Sequence, residues 1–118
     1  MIKEFRINVS DEQISNINNK VNNYPWQSIE DMEGWIHGTN KAYLKEICKY
    51  WISGFDWKKH EELINSFSNF KTNVEGIDIH FIKEEGSGKN PKPLLLMHGW
   101  PGSIVEFLEI IKPLAHPE

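Results

Sequence analysis

Leu94-Leu95-Leu96-Met97-His98-Gly99-Trp100-Pro101-Gly102-Ser103-Ile104-Val105-Glu106-Phe107 is the stretch that decides the fold class of this chain. Four consecutive apolar residues leave no polar face, the pattern of a strand covered on both sides in a parallel sheet. Two glycines and a proline then force a sharp turn, and Ser103-x-x-Glu106 is the capping-box signature of a helix start. Ile104, Phe107, Leu108 and Ile111 follow at helical spacing, with Pro113 expected to end the helix. Strand, tight turn and helix in that order form a recurrent anion-stabilising device at the carboxyl end of the strand. Within it the backbone N–H of Trp100 is a candidate donor to an oxyanion. His98, Gly99 and Pro101 would shape the turn, with Trp100-Pro101 a candidate cis bond. The same residues also suit an ordinary strand–helix turn whose glycines serve geometry alone, and spacing by itself does not separate the two.

Upstream, residues 70–82 change to period two. Phe70, Thr72 and Val74 lead into Glu75-Gly76, a two-residue hairpin turn, and Ile77, Ile79 and Phe81 continue on the far side. Residues 84–93 are polar and punctuated by glycine and proline, as a loop would be. Earlier still the apolar period is helical. Ser10-x-x-Gln13 is a capping box for a helix carrying Ile14, Ile17 and Val21, which Tyr24-Pro25 ends. Residues 25–40 read as an irregular segment anchored by Trp26, Trp35 and Ile36. A second helix is expected from about Lys41 to Trp51, its apolar side formed by Tyr43, Leu44, Ile47, Cys48 and Trp51, with Gly54 breaking it. Asp56 caps a third, roughly 57–66, with Trp57, Leu63 and Ile64 on its apolar side. Residues 5–9 alternate apolar and polar as a short extended segment. The expected class is α/β: an N-terminal helical meander, then a hairpin and one further strand–helix unit. Helical residues 1–69 and strand-bearing residues 70–118 form its two regions.

The 118 residues carry a formal net charge of −4, a pI near 5.7, 39% hydrophobic and 12% aromatic residues. That content argues for a packed core rather than disorder, and the absence of a basic stripe argues against nucleic acid as a partner. The single cysteine, Cys48, excludes an internal disulfide and reads as a small hydrophobe on its helix. The N-terminus has no apolar signal core and the longest apolar run is too short to span a bilayer, so a soluble, cytoplasmic protein without a membrane anchor is expected. Asn8-Val9-Ser10 fits the glycosylation triplet, with nothing else suggesting secretion.

Other constellations do not hold. His60-Glu61 begins like the zinc-peptidase helix, but Leu63 and Ile64 follow where the second histidine is due. Gly86-Ser87-Gly88-Lys89 ends like a phosphate-binding loop, yet Lys83 and Asn90 occupy positions that need glycine and a hydroxyl. No Gly-x-Ser-x-Gly elbow occurs. His80 reads as a structural histidine on a strand, and His37 and His116 lie in loops. Tyr50, Trp51, Phe55 and Trp57 read as core rather than as a ligand cage.

His98-Gly99-Trp100-Pro101-Gly102-Ser103 resembles the His-Gly-x-Pro oxyanion loop of epoxide hydrolases and haloalkane dehalogenases. Trp35, Gly38, Tyr43-Leu44, Tyr50-Trp51, Phe55-Asp56-Trp57, Glu61, Asn65, Phe70, Thr72, Gly76 and Ile79-His80-Phe81 narrow the likeness to the microsomal and juvenile-hormone type of epoxide hydrolase. Pro93-Leu94 and Glu106-Phe107 extend it, so that it covers residues 5–117. Lys58, Ser68 and Lys83 depart from the family's usual arginine, proline and histidine, away from the turn.

The resemblance implies an α/β-hydrolase sheet of which this chain is the incomplete start. It implies hydrolysis of a small-molecule epoxide to a vicinal diol through an alkyl-enzyme ester on an aspartate, with no metal or cofactor. In the family the nucleophile, cap tyrosines, acid and histidine lie beyond the turn, so the chain is expected to be a fragment, inactive alone. Carried over residue by residue, only the oxyanion loop remains: Trp100 as backbone donor, His98, Gly99 and Pro101 shaping it. Trp51 and Trp57 are expected to pack against the hydrolase body. An uncovered apolar strand also leaves open self-association, and with it a non-catalytic interaction module that pairs with itself or with a longer relative.

Overall fold

A computed structural model describes residues 1–28, 30 and 34–117. Residues 29 and 31–33 of the irregular 25–40 segment, and 118, lie outside the described residues. The chain forms two compact units, Val9–Trp57 and Met1–Asn8 with Lys58–Glu118.

The Val9–Trp57 unit is helical. Helix α1 (Asp11–Asn22) starts on the expected capping box: the Gln13 amide donates to Ser10 Oγ at 3.2 Å, and the Ser10 amide donates to Gln13 Oε1 at 3.1 Å. Asp11 and Glu12 in its first turn and Lys20 in its last complement the helix dipole. A 3₁₀ turn, Trp26–Ser28, follows. Helix α2 (Lys41–Ser53) is capped by Asn40, whose Oδ1 accepts from the Tyr43 amide at 3.0 Å. It ends where the Gly54 amide donates to the Tyr50 carbonyl at 2.7 Å. A side chain at position 54 would strike the Tyr50 ring, which explains the glycine. Helices α1 and α2 touch, and Ile14, Ile17, Ile47, Tyr50, Trp51 and Phe55 wall an open apolar groove beside them. Leu44 and Cys48 are half-buried, whereas Ile36, expected as an anchor, is exposed. Trp35, also exposed, lies against Tyr43 with ring centroids 5.1 Å apart.

The other unit is built on a three-stranded antiparallel sheet, β1 (Lys3–Glu4), β2 (Asn69–Val74) and β3 (Ile77–Ile82), in the order β1-β2-β3. Glu75 and Gly76 form the expected two-residue turn, both with positive φ (51° and 88°). That conformation matches the twist of the flanking strands. The Gly76 amide donates to Asn73 Oδ1 at 3.0 Å and Asn73 Nδ2 to Asp78 Oδ1 at 2.7 Å, bracing the turn. Beyond β1 the Phe5 amide bonds the Asn69 carbonyl, and the Asn65 side chain then takes over as a strand edge would. Ile7 N–H donates to its Oδ1 at 2.9 Å and its Nδ2 donates to the Ile7 carbonyl at 2.8 Å.

Helix α3 (Trp57–Asn65) buries Ile64 (4% exposed) and Glu61, not Leu63. Leu63 was expected on the apolar side, but Glu61 and Ile64 share the covered face at a spacing of three and Leu63 falls off it. Lys58 Nζ holds Glu61 Oε1 at 3.1 Å. Helix α4 (Leu108–Ala115) follows a 3₁₀ turn, Ile104–Phe107, and buries Leu108 (8% exposed) with Phe107 and Ile111 half-covered beside it. Pro113 does not end it. The helix runs on to Ala115, closed by the His116 amide donating to the Lys112 carbonyl at 2.8 Å, because proline removes only the bond to Glu109.

Leu94–Met97, expected as a strand, joins no ladder among the described residues. A strand is defined by its neighbours, and among the described residues the one sheet consists of β1, β2 and β3, paired in that order. Leu95 and Met97 are each 79% exposed. Ile64 and Leu108 are the only apolar side chains buried among the described residues, so the aromatic-rich composition does not translate into a closed core.

Candidate oxyanion turn

The loop from residue 98 to 103 is organised by one short bond: the Gly102 amide donates to the Gly99 carbonyl at 2.7 Å. Gly99-Trp100-Pro101-Gly102 is therefore a four-residue turn with a cis Trp100-Pro101 bond at its centre, the arrangement of a type VI turn. Pro101 has no N–H, and Gly102 uses its own within the turn. The Trp100 amide is left without an acceptor among the described residues. A peptide N–H in that position can donate a hydrogen bond to a group from outside the chain, including a developing negative charge. The Trp100 side chain is 96% exposed, so the indole adds no packing.

His98 lies beside the turn, with Nδ1 3.3 Å from the Gly99 carbonyl oxygen. That carbonyl thus faces both His98 and the Gly102 amide. Gly102 is required sterically. A Cβ there would sit 2.9 Å from the Gly99 carbonyl oxygen and collide with the Glu106 carboxylate. At Gly99 an added Cβ would meet nothing within 4 Å, so close packing does not demand that glycine. Ser103 Oγ accepts from the Val105 amide at 3.3 Å and starts the 3₁₀ turn. The expected capping box is only half realised: Glu106 folds over Gly102. From sequence Glu106 is read as a cap and, with Phe107, as part of the family likeness. Its place against Gly102 could have been suspected from a glycine four residues before a long carboxylate at a helix start.

The remaining histidines are not gathered at this turn. His116 Nε2 pairs with Glu84 Oε1 at 2.8 Å at the far end of α4. His37 lies in the turn before α2. His80 Nε2 meets Asn69 Oδ1 at 2.9 Å on the sheet, with the Phe5 ring edge-on at 5.2 Å. Burial, and then the charge of Lys71, hold the His80 pKa below its ordinary value. His80 is structural in this setting, tied to a buried amide. No helix among the described residues is long and apolar enough to cross a membrane.

The family described as "Epoxide hydrolase N terminus" matches residues 2–107. Epoxide hydrolase 1 of Oryctolagus cuniculus is 41% identical over 121 residues, covering 99% of this chain and 27% of the relative. Juvenile hormone epoxide hydrolase 1 of Ctenocephalides felis is 38% identical over 120 residues, covering 98% of this chain and 26% of its own length. Among solved structures, the epoxide hydrolase of Aspergillus niger superposes with a TM-score of 0.82 at 30% identity, over 95% of this chain and 30% of the other. The juvenile hormone epoxide hydrolase of Bombyx mori gives the same TM-score at 32% identity, over 95% and 27%. The chain thus spans about a quarter of the length of the curated relatives it matches, and its fold is a partial α/β-hydrolase domain. With its helical meander, hairpin and His-Gly-Trp-Pro turn, this chain belongs to the epoxide hydrolase family, in that family's N-terminal region.

Proposed function

We propose that the chain serves as the N-terminal portion of an enzyme that hydrolyses a small-molecule epoxide to a vicinal diol in the cytoplasm, without metal or cofactor. In this reading Trp100 N–H is the chain's contribution to the chemistry, an oxyanion donor, and His98, Gly99 and Pro101 hold it in place. The alkyl-ester nucleophile, the acid and the activating histidine come from elsewhere in the enzyme, and these 118 residues alone are inactive. Residues 1–69 are the N-terminal epoxide-hydrolase region, and 70–118 open the hydrolase domain. The observation that carries the reading is the turn itself: the Gly102–Gly99 bond at 2.7 Å consumes its own donor and leaves the Trp100 amide unengaged among the described residues.

Two measurements test this. The pure 118-residue chain, incubated with styrene oxide, should form no diol above the uncatalysed rate; turnover would sink the claim of inactivity. In a longer polypeptide that carries the nucleophile, replacing the Trp100 peptide N–H by an ester oxygen should lower kcat about 10²–10³-fold, the usual cost of one oxyanion donor. An unchanged kcat removes Trp100 from the chemistry.

A second reading rests on a separate observation, the exposure of Leu94, Leu95 and Met97. Such a run favours self-association, and a chain that works as an interaction module would use it. Sedimentation velocity across a concentration series separates the readings: a compact, concentration-independent monomer excludes the module that pairs with itself.

A further inference from the structure

The register of the sheet sets three basic side chains in one row. Lys3 pairs with Lys71, and Lys71 pairs with His80, so the three lie side by side on one face across β1, β2 and β3. Residues directly opposite in antiparallel strands are close enough that like charges repel. Phe5, two residues beyond Lys3, shares this face and joins the row's members. Lys71 Nζ lies 3.9 Å from the centre of its ring, and the His80 ring meets it edge-on at 5.2 Å.

His80 is also tied from the opposite side. Asn69 Nδ2 donates to the carbonyls of Ile64 and Phe67, both at 2.8 Å, so both amide hydrogens are committed and Oδ1 can only accept. The proton of neutral His80 is therefore on Nε2, donated to Asn69. Asp78, two residues back on β3, shares this face, and its carboxylate is engaged by the Asn73 side-chain amide. Lys3 from β1, Lys71 from β2 and Asp78 from β3 are the charged residues that the register sets on the His80 face, and α3, whose Ile64 carbonyl bonds Asn69, carries the buried carboxylate of Glu61, held by Lys58.

We propose that the N-terminal strand is a pH-sensitive latch: protonation of His80 completes a cationic row, Lys3–Lys71–His80, and releases β1 from the sheet. β1 is the element that yields because it is an edge strand of two residues. Its hold depends on Phe5 being clasped between Lys71 and His80 and on the Phe5 and Ile7 amide bonds. A lysine that swings away from a charged His80 gives up the Phe5 ring. The depressed affinity of His80 for a proton, from burial and then Lys71, is consistent with that cost.

Hydrogen exchange of the 118-residue chain, corrected for intrinsic rates, tests the latch between pH 7.5 and 5. Protection of the Phe5 and Ile7 amides should fall severalfold on acidification, while that of Leu44 in α2 holds. His80→Gln, which keeps a donor for Asn69 without a titratable ring, should keep protection at both pH values. Lys71→Gln, which removes the middle of the row, should weaken the opening on acidification, and in the wild type the His80 ring resonances should titrate at the same midpoint as the amides open. The proposal is overturned if Phe5 and Ile7 are unprotected at pH 7.5. It is equally overturned if they stay protected at pH 5, or open in step with Leu44. Should His80→Gln not fold, an acid opening of Lys71→Gln as large as the wild type's overturns it instead.

Discussion

Asn69 is a buried polar side chain whose every hydrogen-bonding group is engaged, by two carbonyls, a histidine and, through its backbone, Phe5. Truncation to alanine would leave partners of that network unpaired in a covered site, where each lost bond costs about 1–3 kcal/mol. Asn69→Ala is expected to lower stability by at least that much in urea titration. Glu75 is the opposite case, a residue ill suited to its place. Its positive φ suits asparagine, and Asn-Gly is the preferred pair for this turn. Glu75→Asn should raise stability by about 0.5 kcal/mol, read as a higher urea midpoint. His80 gives a sign that can be worked out. Its folded pKa lies below the ordinary 6.5, so between those values the unfolded chain binds more protons than the folded one. The stability His80 contributes is complete above pH 6.5 and is lost as pH falls through the lowered value. The urea midpoint of the wild type should therefore drop more between pH 7.5 and 5 than that of His80→Gln.

At the scale of elements, legibility followed whether the cause was local. The Ser10–Gln13 box and the Glu75–Gly76 turn were readable because each satisfies its backbone within four residues. Removing the first, by Ser10→Ala, should cost about 1 kcal/mol and lower helical ellipticity, since the other faces of α1 are largely asparagine and serine. Leu63 was misread because burial on α3 depends on what covers it, which no periodicity reveals. The Leu94–Met97 strand was overcalled for a related reason: apolar sequence states a need for neighbours and does not supply them. Pro113 was read as a stop, but at the sixth position of α4 it deletes one bond and the last turn closes behind it. The candidate turn at 98–102 was legible down to its cis bond, because glycine and proline act on their own backbone. Glu106 over Gly102 was not, since it depends on a rotamer.

For the molecule as a whole, the tension lies between a well-formed local fold and a sparse core. The backbone superposes on epoxide hydrolases at a TM-score of 0.82 over 95% of the chain, yet only Ile64 and Leu108 are buried apolar residues among those described. Caps, turns and ladders therefore shape much of this chain, while apolar burial adds little. The relatives offer the missing term, because each is more than three times as long as the matched segment. If their additional residues form strands beside Leu94–Met97, that segment changes from exposed to covered on both faces and both edges. One substitution then has two different costs. Leu95→Lys in the 118-residue chain exchanges one exposed side chain for another, so its melting temperature should barely move, within the roughly 0.5 kcal/mol of ordinary surface changes. In a longer polypeptide carrying the rest of the sheet, the same lysine would be an unpaired charge among apolar neighbours. A loss of several kcal/mol or failure to fold is expected there, visible as insoluble expression or a collapsed urea midpoint. Equal, small effects in both backgrounds would mean that Leu94–Met97 is never covered, and with it would go the view that this stretch is the first buried strand of a hydrolase sheet.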